Sequence, residues 1–99
     1  SCFIKFYGNN CGYCRHLKVP YEKFADEFQE EAHFFAFNIA DYPEAQKILK
    51  FKGVPTIVAV KTGISQPKIR VLSDPPPGKR NKITWYNIND IEEFIKKEK

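Results

Sequence analysis

Cysteine is scarce in this chain. Three in 99 residues are too few for a disulfide scaffold, and the odd count leaves one without an intramolecular partner. No apolar run approaches the roughly 20 residues that span a bilayer, so this domain is expected to make no membrane contact. No signal peptide is visible, and an apolar strand opens the chain almost at once. The sequence therefore reads as a domain cut from a longer protein. Nor does charge of one sign dominate: the net charge is +4, with acids and bases interleaved. The one compact basic cluster, Lys79–Arg80–Lys82, follows a proline-rich turn, and Glu98 interrupts Lys96–Lys97–Lys99. Such runs are solvated surface, and nucleic acid is not an expected partner. Repeats and low-complexity tracts are absent.

What is present suits one compact domain over residues 1–99, with 42% apolar and 15% aromatic residues to build a core. Residues 2–7 (CFIKFY) form a short apolar run expected to be a strand covered on both faces. Cys2 is the expected spare cysteine, buried there as a small apolar residue. From Cys11 the pattern becomes helical: Leu17, Tyr21, Phe24 and Phe28 share one face of a helix running to about Glu31. His33 to Ile39 reads as a second strand. The next helix is opened by Asp41 and Pro43, buries Ala45, Ile48 and Leu49, and is stopped by Gly53. Thr56–Val60 is a third strand. Ile83–Tyr86 reads as the last strand, before a helix capped by Asn89 with Glu92 three residues on and an apolar face of Ile91, Phe94 and Ile95.

This order, β-α-β-α-β-β-α, predicts an α/β domain with helices on both faces of a mixed four-stranded sheet. The first two strands should be parallel and the last two antiparallel. The Lys61–Lys82 connection, with Pro75–Pro76–Pro77–Gly78, is too long for a tight hairpin, and Ile69–Leu72 can extend the pairing within it.

Chemistry concentrates in Cys11–Gly12–Tyr13–Cys14. Two cysteines at i and i+3 of a helix's first turn have Cα atoms about 5–6 Å apart, within disulfide range. A helix N-terminus carries partial positive charge and unpaired N–H groups, which favour a thiolate, and Arg15 adds a cation. Cys11, first and nearer solvent, is the expected attacking thiolate; Cys14, a turn deeper, is the resolving thiol. A zinc site would need two further ligands, but there is no second C-x-x-C, and His16 and His33 fit no finger spacing. Covalent haem would need histidine directly after Cys14, where Arg15 stands. A purely structural disulfide closing so small a loop adds little stability. Asn10 is a candidate helix cap.

"FIKFYGNNCGYCRHLKVPYEKFADEF" and "FKGVPTIVAV" resemble the thioredoxin superfamily, most closely the catalytic domains of protein disulfide isomerases. The resemblance covers the whole chain and implies a thioredoxin-like fold without the extra N-terminal strand and helix of thioredoxins. It makes Cys11 the nucleophile and Cys14 its disulfide partner, and it gives Val54–Pro55 a cis peptide bond beside the site. The free backbone groups of Val54 would pair with an extended substrate. No cofactor or metal is implied. The expected activity is thiol–disulfide exchange on unfolded or disulfide-bonded proteins in the endoplasmic reticulum lumen, although cytosolic thioredoxins share the motif. The upstream oxidase or reductase is not specified. A glutathione-dependent, glutaredoxin-like enzyme and a client-binding chaperone module are the alternatives.

Four departures stand out. Asn10 replaces tryptophan before the first cysteine. Pro20 lies one residue late in the helix. The Lys61–Lys82 connection is long, so the mobile arginine of the family is placed loosely at Arg80, with Arg70 behind it. Lys5 occupies the position of a buried acid that accepts the resolving thiol's proton. Gly12, Tyr13, Arg15 and Lys5 are therefore the expected redox-tuning positions.

Overall fold

The computed structural model describes residues 1–63 and 65–99; position 64, inside the expected Lys61–Lys82 connection, lies outside them. The elements are β1 (Cys2–Tyr7), α1 (Gly12–Glu27), β2 (His33–Asn38), α2 (Pro43–Leu49), β3 (Thr56–Lys61), β4 (Lys68–Val71) and α3 (Ile88–Glu98). They form one mixed sheet in the order β2-β1-β3-β4. β1 runs parallel to β2, with Lys5 opposite Ala36, and antiparallel to β3, with Lys5 opposite Ile57. β4 closes the other edge antiparallel to β3.

Strand alternation divides the core between two faces. Phe3, Ile57 and Ala59 point to the α1–α3 side, where they meet Leu17, Tyr21, Phe24, Ile91 and Ile95. Phe6 and Val58 point to the α2 side, against Phe51 and the half-buried Leu49 and Ala45. Each fully buried side chain of this size contributes roughly 1.5–3 kcal/mol. Lys5 follows Phe3 by two residues, so the same alternation sends its cation into the α1 face.

Several boundaries differ from the sequence reading. Ile83–Tyr86 is a turn and not a strand. The Asn81 side-chain oxygen accepts from the Ile83 and Thr84 N–H groups at 2.8 and 3.0 Å. Asn81 and Trp85 also exchange both backbone hydrogen bonds, and Trp85 takes a φ of 68°. These local bonds outcompete the strand preference of the Ile-Thr-Trp-Tyr run. The fourth strand comes instead from Lys68–Val71, which splits the long connection in two.

α3 starts at Ile88 after Asn87, not at an Asn89 cap; the Asn87 amide donates to the Lys79 carbonyl at 2.9 Å. Glu92 pairs with Lys96 rather than closing a capping box. α2 ends at Lys50 in the left-handed region, ahead of Gly53, and this turn seats Phe51 against Phe6 with ring centroids 5.2 Å apart. Ile48 faces solvent (73% exposed), not the core. α1 stops at Glu27 because the Phe28 carbonyl accepts from both Glu31 and Ala32, turning the chain toward β2. Cys2 is free and half-buried rather than fully buried.

Candidate active site

The end of β1 delivers the chain to the redox pair through Gly8, which approaches the α2–β3 turn closely. A Cβ at Gly8 would lie 3.1 Å from Val54 Cγ2. Cys11 is itself the N-cap of α1, where the sequence suggested Asn10; Asn9 and Asn10 are both exposed. The Asn9 side chain accepts from the Asn38 amide at 2.7 Å and links the loop to the end of β2.

Cys11 and Cys14 form a disulfide with Cα atoms 5.2 Å apart. Cys11 is half-buried and Cys14 only 5% exposed. The Cys14 N–H donates to Cys11 Sγ at 3.1 Å. This is a capping bond made by sulfur, and it strengthens when the acceptor is a thiolate. On its other side Cys11 Sγ lies 3.8 Å from the Val54 carbonyl oxygen, and the Val54–Pro55 peptide is cis. Gly12 and Arg15 lie on the exposed side of the helix start, and His16 and His33 are exposed. Among the described residues no three His, Cys, Asp or Glu side chains gather to hold a metal.

Lys5 is buried behind Cys14 (4% exposed), and both line one cleft. Its ammonium lies 4.9 Å from the Tyr21 ring centroid and 6.0 Å from that of Tyr7. Burial lowers its pKa, with Glu22 opposing and Lys18 adding to the shift. Tyr21 packs the helix on the sheet here. Its hydroxyl reaches the Phe35 carbonyl at 2.8 Å and the Phe3 carbonyl at 3.1 Å.

A second feature escaped the sequence reading. The turn built by Asn81 carries Trp85 to the Pro55 side of the pair, its ring centroid 5.5 Å from that of Tyr13. The Arg80 guanidinium packs on the same indole at 4.5 Å, and Trp85 Nε1 donates to Asp74 at 3.2 Å. Together with Val54, Pro55 and Pro75–Pro77 these residues line a groove of about 550 Å³. The chain thus has an indole beside its cysteines, supplied from a distant turn rather than from position 10. The positive φ of Trp85 and the side-chain and backbone bonds of Asn81 bring it there, and none of these is marked by periodicity. Arg70 stands exposed on edge strand β4.

A four-stranded mixed sheet with a cysteine pair opening its first helix defines a thioredoxin-fold domain of the disulfide-oxidoreductase type. The chain belongs to the thioredoxin family, whose model matches residues 1–74. It is 30% identical over 94 residues to a putative protein disulfide-isomerase of Schizosaccharomyces pombe, covering 95% of this chain and 17% of that protein. It is 33% identical over 60 residues to Bloodstream-specific protein 2 of Trypanosoma brucei brucei, covering 61% of this chain and 12% of that protein. The chain thus spans less than a fifth of either relative. Among solved structures, the Trx4 domain of ERdj5 superposes with a TM-score of 0.72 at 14% identity, covering 97% of this chain and 76% of that one.

Proposed function

We propose that the chain catalyses thiol–disulfide exchange on protein substrates, with Cys11 as the attacked and attacking sulfur and Cys14 as the resolving one. The observation that carries this is the Cys14 N–H held 3.1 Å from Cys11 Sγ at the start of α1, which favours negative charge on that sulfur. In the oxidising direction a substrate thiolate attacks Cys11 Sγ, the Cys11–Cys14 bond breaks, and Cys14 leaves as a thiolate that takes a proton. A second substrate thiolate attacks the mixed disulfide and expels Cys11. The substrate gains a disulfide, and the pair gains the two electrons. In the reverse sense the Cys11 thiolate attacks a substrate disulfide and Cys14 releases the product.

Val54, with its backbone beside Cys11, is the proposed docking edge for an extended substrate. The Tyr13 and Trp85 rings, tilted 58° to one another, offer an apolar contact surface. The secretory setting and a place in a larger folding factor are part of this proposal, supported by likeness to disulfide isomerases. Lys5, in place of an acid, would leave the resolving proton transfer altered. Reoxidation of a reduced, unfolded disulfide protein tests the activity: wild type accelerates it and Cys11→Ala abolishes it. Equal rates with Cys11→Ala contradict the proposal. The groove lined by Tyr13 and Trp85 beside the pair favours a second reading, client binding without turnover. A Cys11→Ala, Cys14→Ala double variant that keeps full chaperone function would favour it.

A further inference from the structure

A cleft of about 500 Å³ opens between α1 and the β1–β2 pair, on the side of Cys14 lined by β2. Its floor holds Lys5, a residue nine-tenths or more buried, whose ammonium has no carboxylate, hydroxyl or carbonyl partner among the described residues. The Tyr21 and Tyr7 rings flank it. The tip of the side chain meets solvent only through the cleft, and an anion placed against a partly desolvated cation removes much of the desolvation cost. Burial lowers the Lys5 pKa, and the nearby Glu22 carboxylate only partly opposes the shift. Arg15 and Lys18 stand on the same cleft, and Glu22 is its one acid. Three cations against one carboxylate make the cleft electropositive. Its walls are nevertheless apolar: Tyr21, Ala25 and Phe34 line it, whereas the Phe35 ring stacks on Phe37 on the other face of the sheet. Ala36, opposite Lys5 in the β1–β2 register, leaves the entrance open.

We propose that this cleft binds a small organic anion, a carboxylate or sulfonate on an aromatic or aliphatic body, with its head on Lys5 and its body on Phe34 and Tyr21. Such a ligand lies beside the buried sulfur of the redox pair, because Cys14 lines the same cleft. The site is distinct from the Trp85 groove on the Pro55 side, and its occupation requires no turnover.

The test is a titration of the oxidised chain with 8-anilinonaphthalene-1-sulfonate, read by amide chemical shifts and by fluorescence. The uncharged N-phenyl-1-naphthylamine is the control. The sulfonate should saturate, shift the amides of Lys5, Lys18 and Ala36, and bind at least about tenfold more tightly than the neutral compound, as a charge-assisted contact requires. Lys5→Met should weaken it by a similar factor. If Lys5→Met does not fold, the rim variant Lys18→Glu decides, with an expected loss of roughly threefold from an exposed charge reversal. Equal affinity for the neutral compound, no saturable binding, or shifts centred on Tyr13 and Trp85 overturn the proposal. So does undiminished binding by folded Lys5→Met or, in its place, by Lys18→Glu.

Discussion

Tyr21→Phe isolates the bond that fastens α1 to the sheet beneath the cysteine pair. One phenolic proton is aimed at two carbonyls on adjacent strands, Phe35 at 2.8 Å and Phe3 at 3.1 Å. Burial raises the Tyr21 pKa, and its backbone hydrogen bonds oppose this more weakly, so the proton stays in place at any ordinary pH. Deleting the hydroxyl removes a buried bond and leaves its acceptors under-satisfied, a cost of about 1–2 kcal/mol. For a domain of this size that is a fall in Tm of roughly 5–15 °C. The phenylalanine ring keeps its edge contact with Phe34, at 5.8 Å between centroids, and its face toward Lys5. Exchange activity at room temperature should therefore stay near wild type. Tyr21→Leu removes the ring as well, and with it a buried cation–π contact worth about 1–2 kcal/mol more. Thermal melts followed by circular dichroism, with activity assayed on the same samples, separate the contributions. An unchanged Tm for Tyr21→Phe, or equal losses for the two variants, refutes the reasoning.

Tyr86, fully buried, has its pKa pushed up to about 12 by burial and by nearby Asp74. Above about pH 10 the unfolded phenol ionises while the folded one does not. Its stabilising contribution is full below that pH and fades as pH rises toward 12, by about 2–3 kcal/mol in all. Urea unfolding across this range should show a shallower alkaline decline in Tyr86→Phe; an identical slope contradicts the assignment. Trp85→Ala removes the ring on which Tyr13 and Arg80 pack. Peptide substrates should show an apparent KM raised about five- to thirtyfold with little change in kcat, as loss of an aromatic anchor implies, and an unchanged KM counts against the contact surface. Lys5→Glu installs a proton acceptor behind Cys14. Trapped mixed disulfides should be released faster across the neutral range, and unchanged lifetimes would remove Lys5 from the relay.

Much of the fold can be read from alternation and helical spacing. β1, β2, β3 and the apolar face of α3 fall where residues such as Phe3, Phe6 and Ile91 demand. What periodicity misses is decided by side chains bonding to nearby backbone or by a single φ. Asn81 converts a β-favouring run into a turn, and Lys50 ends a helix in the left-handed region so that Phe51 can be buried. The C-x-x-C spacing and its place at a strand-to-helix junction were legible, because both are local. The groove was not, since Trp85 lies 71 residues after Cys14 and reaches Tyr13 only through that turn. The burial of Lys5 follows from alternation with Phe3, but the groups around its ammonium come from Tyr21 on α1 and Ala36 across the sheet.

The central claim is that Cys11–Cys14 is a redox pair poised to exchange with protein thiols. Its most direct test is the reduction potential of the pair, measured by equilibration with glutathione buffers. A capped Cys11 sulfur and the buried Lys5 cation both favour the reduced, thiolate-bearing form, so the potential should lie between about −230 and −180 mV. A value near about −270 mV would contradict the tuning assigned to the Cys11 cap and Lys5, and one below about −300 mV, that of an inert structural bridge, would contradict the central claim itself.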